Sequence, residues 1–156
     1  MLDLVIYGKA EPAGSKRWVP LKNSKRVRII DANPKAADWK RWVADEAALA
    51  WKGQPLLTDI ALSFHLIFYR PRPKSHYRTG KRAGELKEFH DEDMGDESAL
   101  RRVYPTTRPD LLKLARAIED ALTGIVYRDD ALICAETLRK FYGEPMRVEI
   151  HLDILR

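Results

Sequence analysis

Three carboxylates and one guanidinium are the residues whose types and spacing could do chemistry. Asp110 stands in the stretch RPDLLKLARAIEDAL (108–122), and Asp129 and Asp130 follow about twenty residues later in a turn that leads into a strand-like run. A chain reversal between them would bring three sets of oxygen ligands together. Such ligands suit a hard cation such as Mg²⁺, with Mn²⁺ as the alternative, because that ion keeps several waters and leaves positions for phosphate oxygens. Arg116 lies on the polar side of the same stretch, where it could reach a phosphate held by the ion. Each residue also has a plain structural use. Asp110 favours the positive end of a helix dipole, Asp129 and Asp130 suit a turn, and Arg116 can pair with Glu119 or Asp120. Taken alone, these residue types are more often structural.

One residue in the stretch is out of place. At 100° per residue, Leu111, Leu114, Ala115, Ile118, Ala121 and Leu122 share the stripe of a helix that packs on a core. Leu112 projects from the far side with Arg116 and Glu119, where a polar residue is expected. Other chemistries find little support. His65, His76, His90 and His151 share no zinc-ligand spacing, and no Gly-rich phosphate loop ending in Gly-Lys-Ser/Thr occurs, so no nucleotide cofactor is expected. Lys74, Arg78, Lys81 and Arg82, with Tyr77 among them, could contact a nucleic-acid backbone, although short basic runs are usually just solvated.

The elements that must position these residues can be read from pattern. Residues 2–10 have the β-branched content of a strand, and EPAGS (11–15) breaks it. Residues 16–22 and 26–30 suggest a hairpin around Asn23 and Ser24. Pro34 opens a helix to about Lys52, with Trp39, Trp42, Val43, Ala47 and Ala50 on or near its apolar face and Gly53 ending it. Residues 56–70 read as one long strand. Residues 71–107 show almost no apolar periodicity and pass from basic to acidic and back, which reads as a long surface loop. A helix over 109–123 follows, with Gly124 just past its end, then a short turn, a strand to about 143, and an alternating strand at 146–154. The expected architecture is α+β, a small mixed or antiparallel sheet with two main helices on one face, in a single domain spanning 1–156.

Composition bounds the partners. Twenty-eight Lys and Arg against 23 Asp and Glu give a net charge of +5, which permits a polyanionic partner without demonstrating one. The single cysteine, Cys134, can form no intrachain disulfide and no metal-binding pair, which fits a reducing compartment. No run approaches the ~20 apolar residues of a membrane span, and MLDLVIYGK has no basic leader before an apolar segment, so no membrane partner is expected.

The whole arrangement carries a resemblance. RPDLLKLARAIEDALTGIVYRDD (108–130), preceded by YPTT and followed by a strand ending in KFYG, resembles the signature of the RusA-type Holliday junction resolvases. That signature runs from a basic residue through an aspartate, an aliphatic residue, a second aspartate, an Asn or Lys and a leucine, then D-A-L, then a D-D pair. GKAEPAGSKRWVP (8–20) is similar to the family's N-terminal loop, and PKSHYRTGKRAG (73–84) to an insertion of phage and prophage members. The resemblance implies a homodimeric Mg²⁺-dependent endonuclease that cuts four-way DNA junctions by paired symmetric nicks in a bacterial cytoplasm. It makes Asp110, Asp129 and Asp130 metal ligands and Arg116 the basic catalytic residue. Lys16, Arg17, Lys74, Arg78, Lys81, Arg82 and Arg108 are the expected DNA contacts. The family's second helix aspartate falls on Leu112, which can neither bind Mg²⁺ nor accept a hydrogen bond, and Lys113 stands where many members have Asn. Two readings stay open. Another carboxylate such as Glu119 compensates, or the chain is an impaired or noncatalytic junction-binding protein.

Overall fold

The computed structural model describes residues 1–14, 16–20, 27–31, 33–87 and 104–156, and of 16–18 and 27–31 the backbone alone. Strand β1 spans Leu2–Tyr7, β2 Lys16–Pro20 and β3 Val27–Asp31, followed by helix α1 at Pro34–Trp51 and strand β4 at Leu62–Arg70. Helix α2 spans Leu111–Leu122, and strands β5 at Ile133–Tyr142 and β6 at Arg147–Ile154 close the chain. The main sheet has the order β1-β6-β4-β5. Its β1–β6 and β6–β4 pairs are antiparallel, and its β4–β5 pair is parallel. β2 and β3 form a separate antiparallel pair. The expected α+β class is therefore observed, with a mixed sheet and two helices among the described residues.

Alternation explains which face is covered. Leu2 and Ile6, Leu62, Phe64, Leu66 and Phe68, and Val148, Ile150 and Leu152 are buried on one side of the sheet. They meet Trp39, Val43, Ala47 and Trp51 of α1 and Leu114, Ala115, Ala117, Ile118, Ala121 and Leu122 of α2 in one core. Burying such side chains contributes roughly 1.5–3 kcal/mol each relative to exposure. The core fixes the helices on the sheet, and their outward faces follow.

Three expectations change. The strand expected at 56–70 begins only at Leu62, because Asp59 takes a left-handed φ of 54° and turns the chain. Upstream of that turn, Leu57 keeps only an isolated bridge to Tyr127. Trp42, expected on or near the apolar face of α1, is 55% exposed, since it lies about 60° from Trp39 on the side away from Val43 and Ala47. The left-handed cap of α1 is taken by Lys52 at φ 49°, one residue before Gly53. Asn33 caps the other end, its Oδ1 accepting from Lys35 N–H at 3.2 Å. The expected turn at Asn23 and Ser24 and the loop residues 88–103, His90 included, lie outside the described residues.

Candidate functional site

Helix α2 carries the site because its two faces are so unlike. The buried stripe runs as the spacing predicts, and Leu112 is 72% exposed on the opposite side. Asp110 is the N-cap by backbone conformation, yet its side chain caps nothing and lies 3.8 Å from Lys113 Nζ. Asp120 is taken up by Lys40 of α1 at 2.6 Å, which pins the two helices together. Arg116 is left beside Glu119, whose carboxyl its charge favours in the ionised form.

At the C-terminal end of this face, Glu119, Asp130 and Glu136 line one cavity of about 460 Å³, with Cys134 at its edge. Glu119 is raised to about 7, first by burial and then by the charge of Glu136, a hydrogen bond to it, and Asp130. Two carboxyls that share a hydrogen bond share a proton, so Glu119 keeps its proton to a higher pH than a lone carboxyl does. Asp129 and Asp130 divide the work of the turn. The Asp129 side chain accepts the Ala131 N–H at 2.9 Å and caps a short 3₁₀ turn at Asp130–Leu132. That hydrogen bond lowers the Asp129 pKa. Asp130 instead faces the cavity. Beneath it, the buried Tyr127 hydroxyl donates to the Glu119 carbonyl at 3.0 Å, and burial raises its pKa so that it stays a donor.

Asp110 lines a different cavity, of about 510 Å³, at the N-terminal end of α2. The loop from Lys9 to Gly14 forms one wall, Arg70 at the end of β4 another, and Arg108, Pro109, Asp110 and Lys113 the third. Backbone ties hold these walls. Ala13 N–H donates to the Lys113 carbonyl at 2.8 Å, and Arg70 donates to the Ala10 carbonyl. Lys140 Nζ donates to the carbonyls of Thr107 and Pro109, each at 3.0 Å. Asn33 Nδ2 anchors Pro12 at 3.0 Å. The structure thus brings Asp130 to Glu119 and Glu136, and sets Asp110 at the other end of the helix.

The expected DNA contacts fall in three places. Arg108 is in the Asp110 cavity. Arg78, Lys81 and Arg82, with Thr79 and Lys87, line a third cavity of about 580 Å³, and Lys74 opens the nearby 3₁₀ turn Lys74–His76. That part of the loop is locally folded. Lys87 N–H donates to the His76 carbonyl at 2.9 Å, Arg78 N–H to that of Glu85 at 2.7 Å, and Arg82 pairs with Glu85 at 2.7 Å. The side chains of Lys16 and Arg17 lie outside the described residues. Sequence reasoning missed Glu136, Lys9, Arg70 and Lys140. The period-2 pattern of β5, which puts Leu138 toward the core, places Glu136 and Lys140 on the same helix-facing side.

A divalent cation is the group that this donor chemistry suits, since Glu119, Asp130 and Glu136 are hard oxygen ligands around one cavity. Among the described residues, no three His, Cys, Asp or Glu side chains are arranged around a single point; Glu119 and Glu136 face each other instead. Among the same residues, no helix is long and apolar enough to cross a membrane.

The α+β fold thus carries a carboxylate-rich cavity and a cation-lined cavity at opposite ends of one helix face. The chain belongs to the RusA endodeoxyribonuclease family. Its residues 9–153 match the family described as Endodeoxyribonuclease RusA. It is also similar to the uncharacterized protein YqaN of Bacillus subtilis (strain 168), with 28% identity over 149 residues that cover 96% of this chain and 93% of the relative.

Proposed function

We propose that this chain is a divalent-cation-dependent endonuclease that binds four-way DNA junctions as a homodimer and resolves them by paired nicks. The observation that carries this reading is the cavity lined by Glu119, Asp130 and Glu136 beside Arg116, on a chain that belongs to the family described as Endodeoxyribonuclease RusA. Burial raises Glu119 first and repulsion from Glu136 and Asp130 second, and a dication among these oxygens would relieve the repulsion. To hold the ion, Asp130, Glu119 and Glu136 would have to turn their oxygens to one point from the facing arrangement they have here, with Asp129 fixing the turn. Asp110, a ligand in the family pattern, stands at the other end of the helix face. When bound, Mg²⁺ or Mn²⁺ would polarise a phosphate and lower the pKa of a water. Arg116 would meet negative charge building on the phosphate oxygens, and Tyr127 would hold the Glu119 turn in place.

The second reading is a junction-binding protein with weak or no cleavage, and the exposed Leu112 favours it. Gel shifts with four-way, duplex and single-stranded DNA in EDTA, followed by Mg²⁺ or Mn²⁺ addition and mapping of nicks, separate the two. Symmetric nicks that vanish in Asp130→Asn and persist in Asp129→Asn support the nuclease. Tight junction binding with no nick under either ion supports the binder. Absence of junction selectivity overturns both.

A further inference from the structure

Two of the four histidines meet on the face of the sheet opposite the helices. Sequence spacing gives no sign of it, because His65 and His151 lie far apart in the chain, on β4 and β6. The antiparallel register sets them directly opposite each other. Each stands between buried neighbours, Phe64 and Leu66 on one strand and Ile150 and Leu152 on the other, so alternation turns both imidazoles away from the core. Both residues are exposed. Directly opposed residues of an antiparallel pair hold their Cβ atoms about 4.5–5.5 Å apart. Two imidazoles at that separation can reach one ion with Zn–N bonds of about 2.0–2.1 Å.

A third group orients the pair. Asp3 of β1 opposes His151 on its other side, and the His151 Nδ1–H donates to the Asp3 carboxylate. That bond fixes the tautomer and the ring, and it leaves Nε2 with its lone pair for a metal. Carboxylate, histidine and metal in that order is how a ligating histidine is usually held. Asp3, His151 and His65 accordingly form a row across three strands rather than a ring around one point.

We infer that His65 and His151 bind a transition-metal ion of the zinc class, with Asp3 as the positioning residue for His151. Imidazole nitrogen suits such ions, whereas Mg²⁺ takes oxygen ligands, so the site is chemically separate from the cavity at Glu119, Asp130 and Glu136. The two also lie on opposite faces of the sheet, since Glu136 is level with the buried Phe64 and Thr137 with His65. Two imidazoles fill half of a four-coordinate shell, and water takes the rest. The ion ties β6 to β4, the two central strands, and therefore stabilises the folded chain. This site stands whether or not the chain cuts DNA.

The test is zinc uptake by the untagged full chain, stripped with EDTA and then freed of it, in competition with a chromophoric zinc chelator. An excess of Mg²⁺ keeps oxygen-only sites occupied. The native chain is compared with His65→Gln, His151→Gln and Asp3→Asn. All three side chains are exposed, so the four proteins should melt together in EDTA. Zinc should raise the melting temperature of the native chain and of neither histidine variant. Zinc affinity should fall by more than about tenfold in each histidine variant and by about tenfold in Asp3→Asn. A native chain that takes up no zinc overturns the inference. So does either histidine variant that keeps the native affinity. Native affinity in Asp3→Asn would withdraw the positioning role from that residue.

Discussion

Leu112 matters for its position more than for its residue type. The side chain is exposed on the polar face, one turn from Arg116 and two from Glu119, so a carboxylate placed there would project toward the same surface without disturbing the core. Leu112→Asp should therefore change stability by less than about 0.5 kcal/mol, as exposed substitutions usually do. It should raise Mg²⁺-dependent cleavage of a four-way junction at least tenfold, because catalytic groups that act as a unit fail together and recover together. Equal cleavage rates for the two proteins would remove position 112 from the site. Glu119 gives a second residue-scale prediction. Its raised pKa means that the folded protein holds that proton more tightly than the unfolded chain. The contribution to stability is complete below about pH 4.5 and is lost as pH rises through about 7. In EDTA, Glu119→Gln should flatten that decline and be the more stable protein at pH 8. The difference is on the order of 1 kcal/mol once solvent screening of a half-exposed carboxyl is allowed for. Thermal melts of both proteins from pH 4 to 8 test it, and parallel curves would show that Glu119 carries no such strain.

At the scale of elements, legibility depended on whether a signal was local. The stripe Leu114, Ala115, Ile118, Ala121 and Leu122 is a local pattern, and it gave helix α2, its buried face and the exposed position of Leu112 from sequence alone. The alternation of Val148, Ile150 and Leu152 gave β6 in the same way. The strand start at Leu62 was not legible, because the left-handed turn at Asp59 is made by a residue that does not announce it as a glycine does. The site was half legible for the same reason. Asp130 and Glu119 stand out in the sequence, but Glu136 joins them only through the packing of β5 against α2, a contact between residues far apart in the chain. Lys140 shows what such a contact can support. Its ammonium holds the carbonyls of Thr107 and Pro109 just before α2, and burial lowers its pKa. Lys140→Met keeps the length of the side chain and removes both bonds. It should cost about 1–2 kcal/mol, the scale of a charge-assisted hydrogen bond that is partly exposed, and weaken junction binding through the loosened Arg108–Asp110 segment. Chemical denaturation and a gel shift measure the two effects; unchanged values in both would leave Lys140 a bystander.

For the whole molecule the governing fact is that, among the described residues, both helices lie on one face of the sheet. Opposite the helices, Val5 and Tyr7 are 45% and 59% exposed, with Ile67, Tyr69 and Phe141 half-buried around them. Arg147 lies over the Tyr69 ring at 3.6 Å and shields part of this surface. The apolar strand β4, by contrast, is satisfied within the chain, since Leu62, Phe64, Leu66 and Phe68 all face the core. A four-way junction has near two-fold symmetry, and paired nicks on opposing strands call for two sites related by the same operation, which a C2 dimer supplies. The exposed sheet face is the surface that the proposed self-association would use, because a closed two-fold contact must use one patch twice and the helix faces carry the charged residues. Light scattering at micromolar concentration should thus return twice the 18.0 kDa chain mass. Val5→Glu/Tyr7→Glu should return the single-chain mass with unchanged helix and strand content, since both side chains point away from the core. That variant should still bind one arm of a junction through its basic surface yet make unpaired nicks, if any, because coincident cutting requires the second site. A native chain that runs at 18.0 kDa across this concentration range would remove the dimer, and with it the basis for paired cleavage.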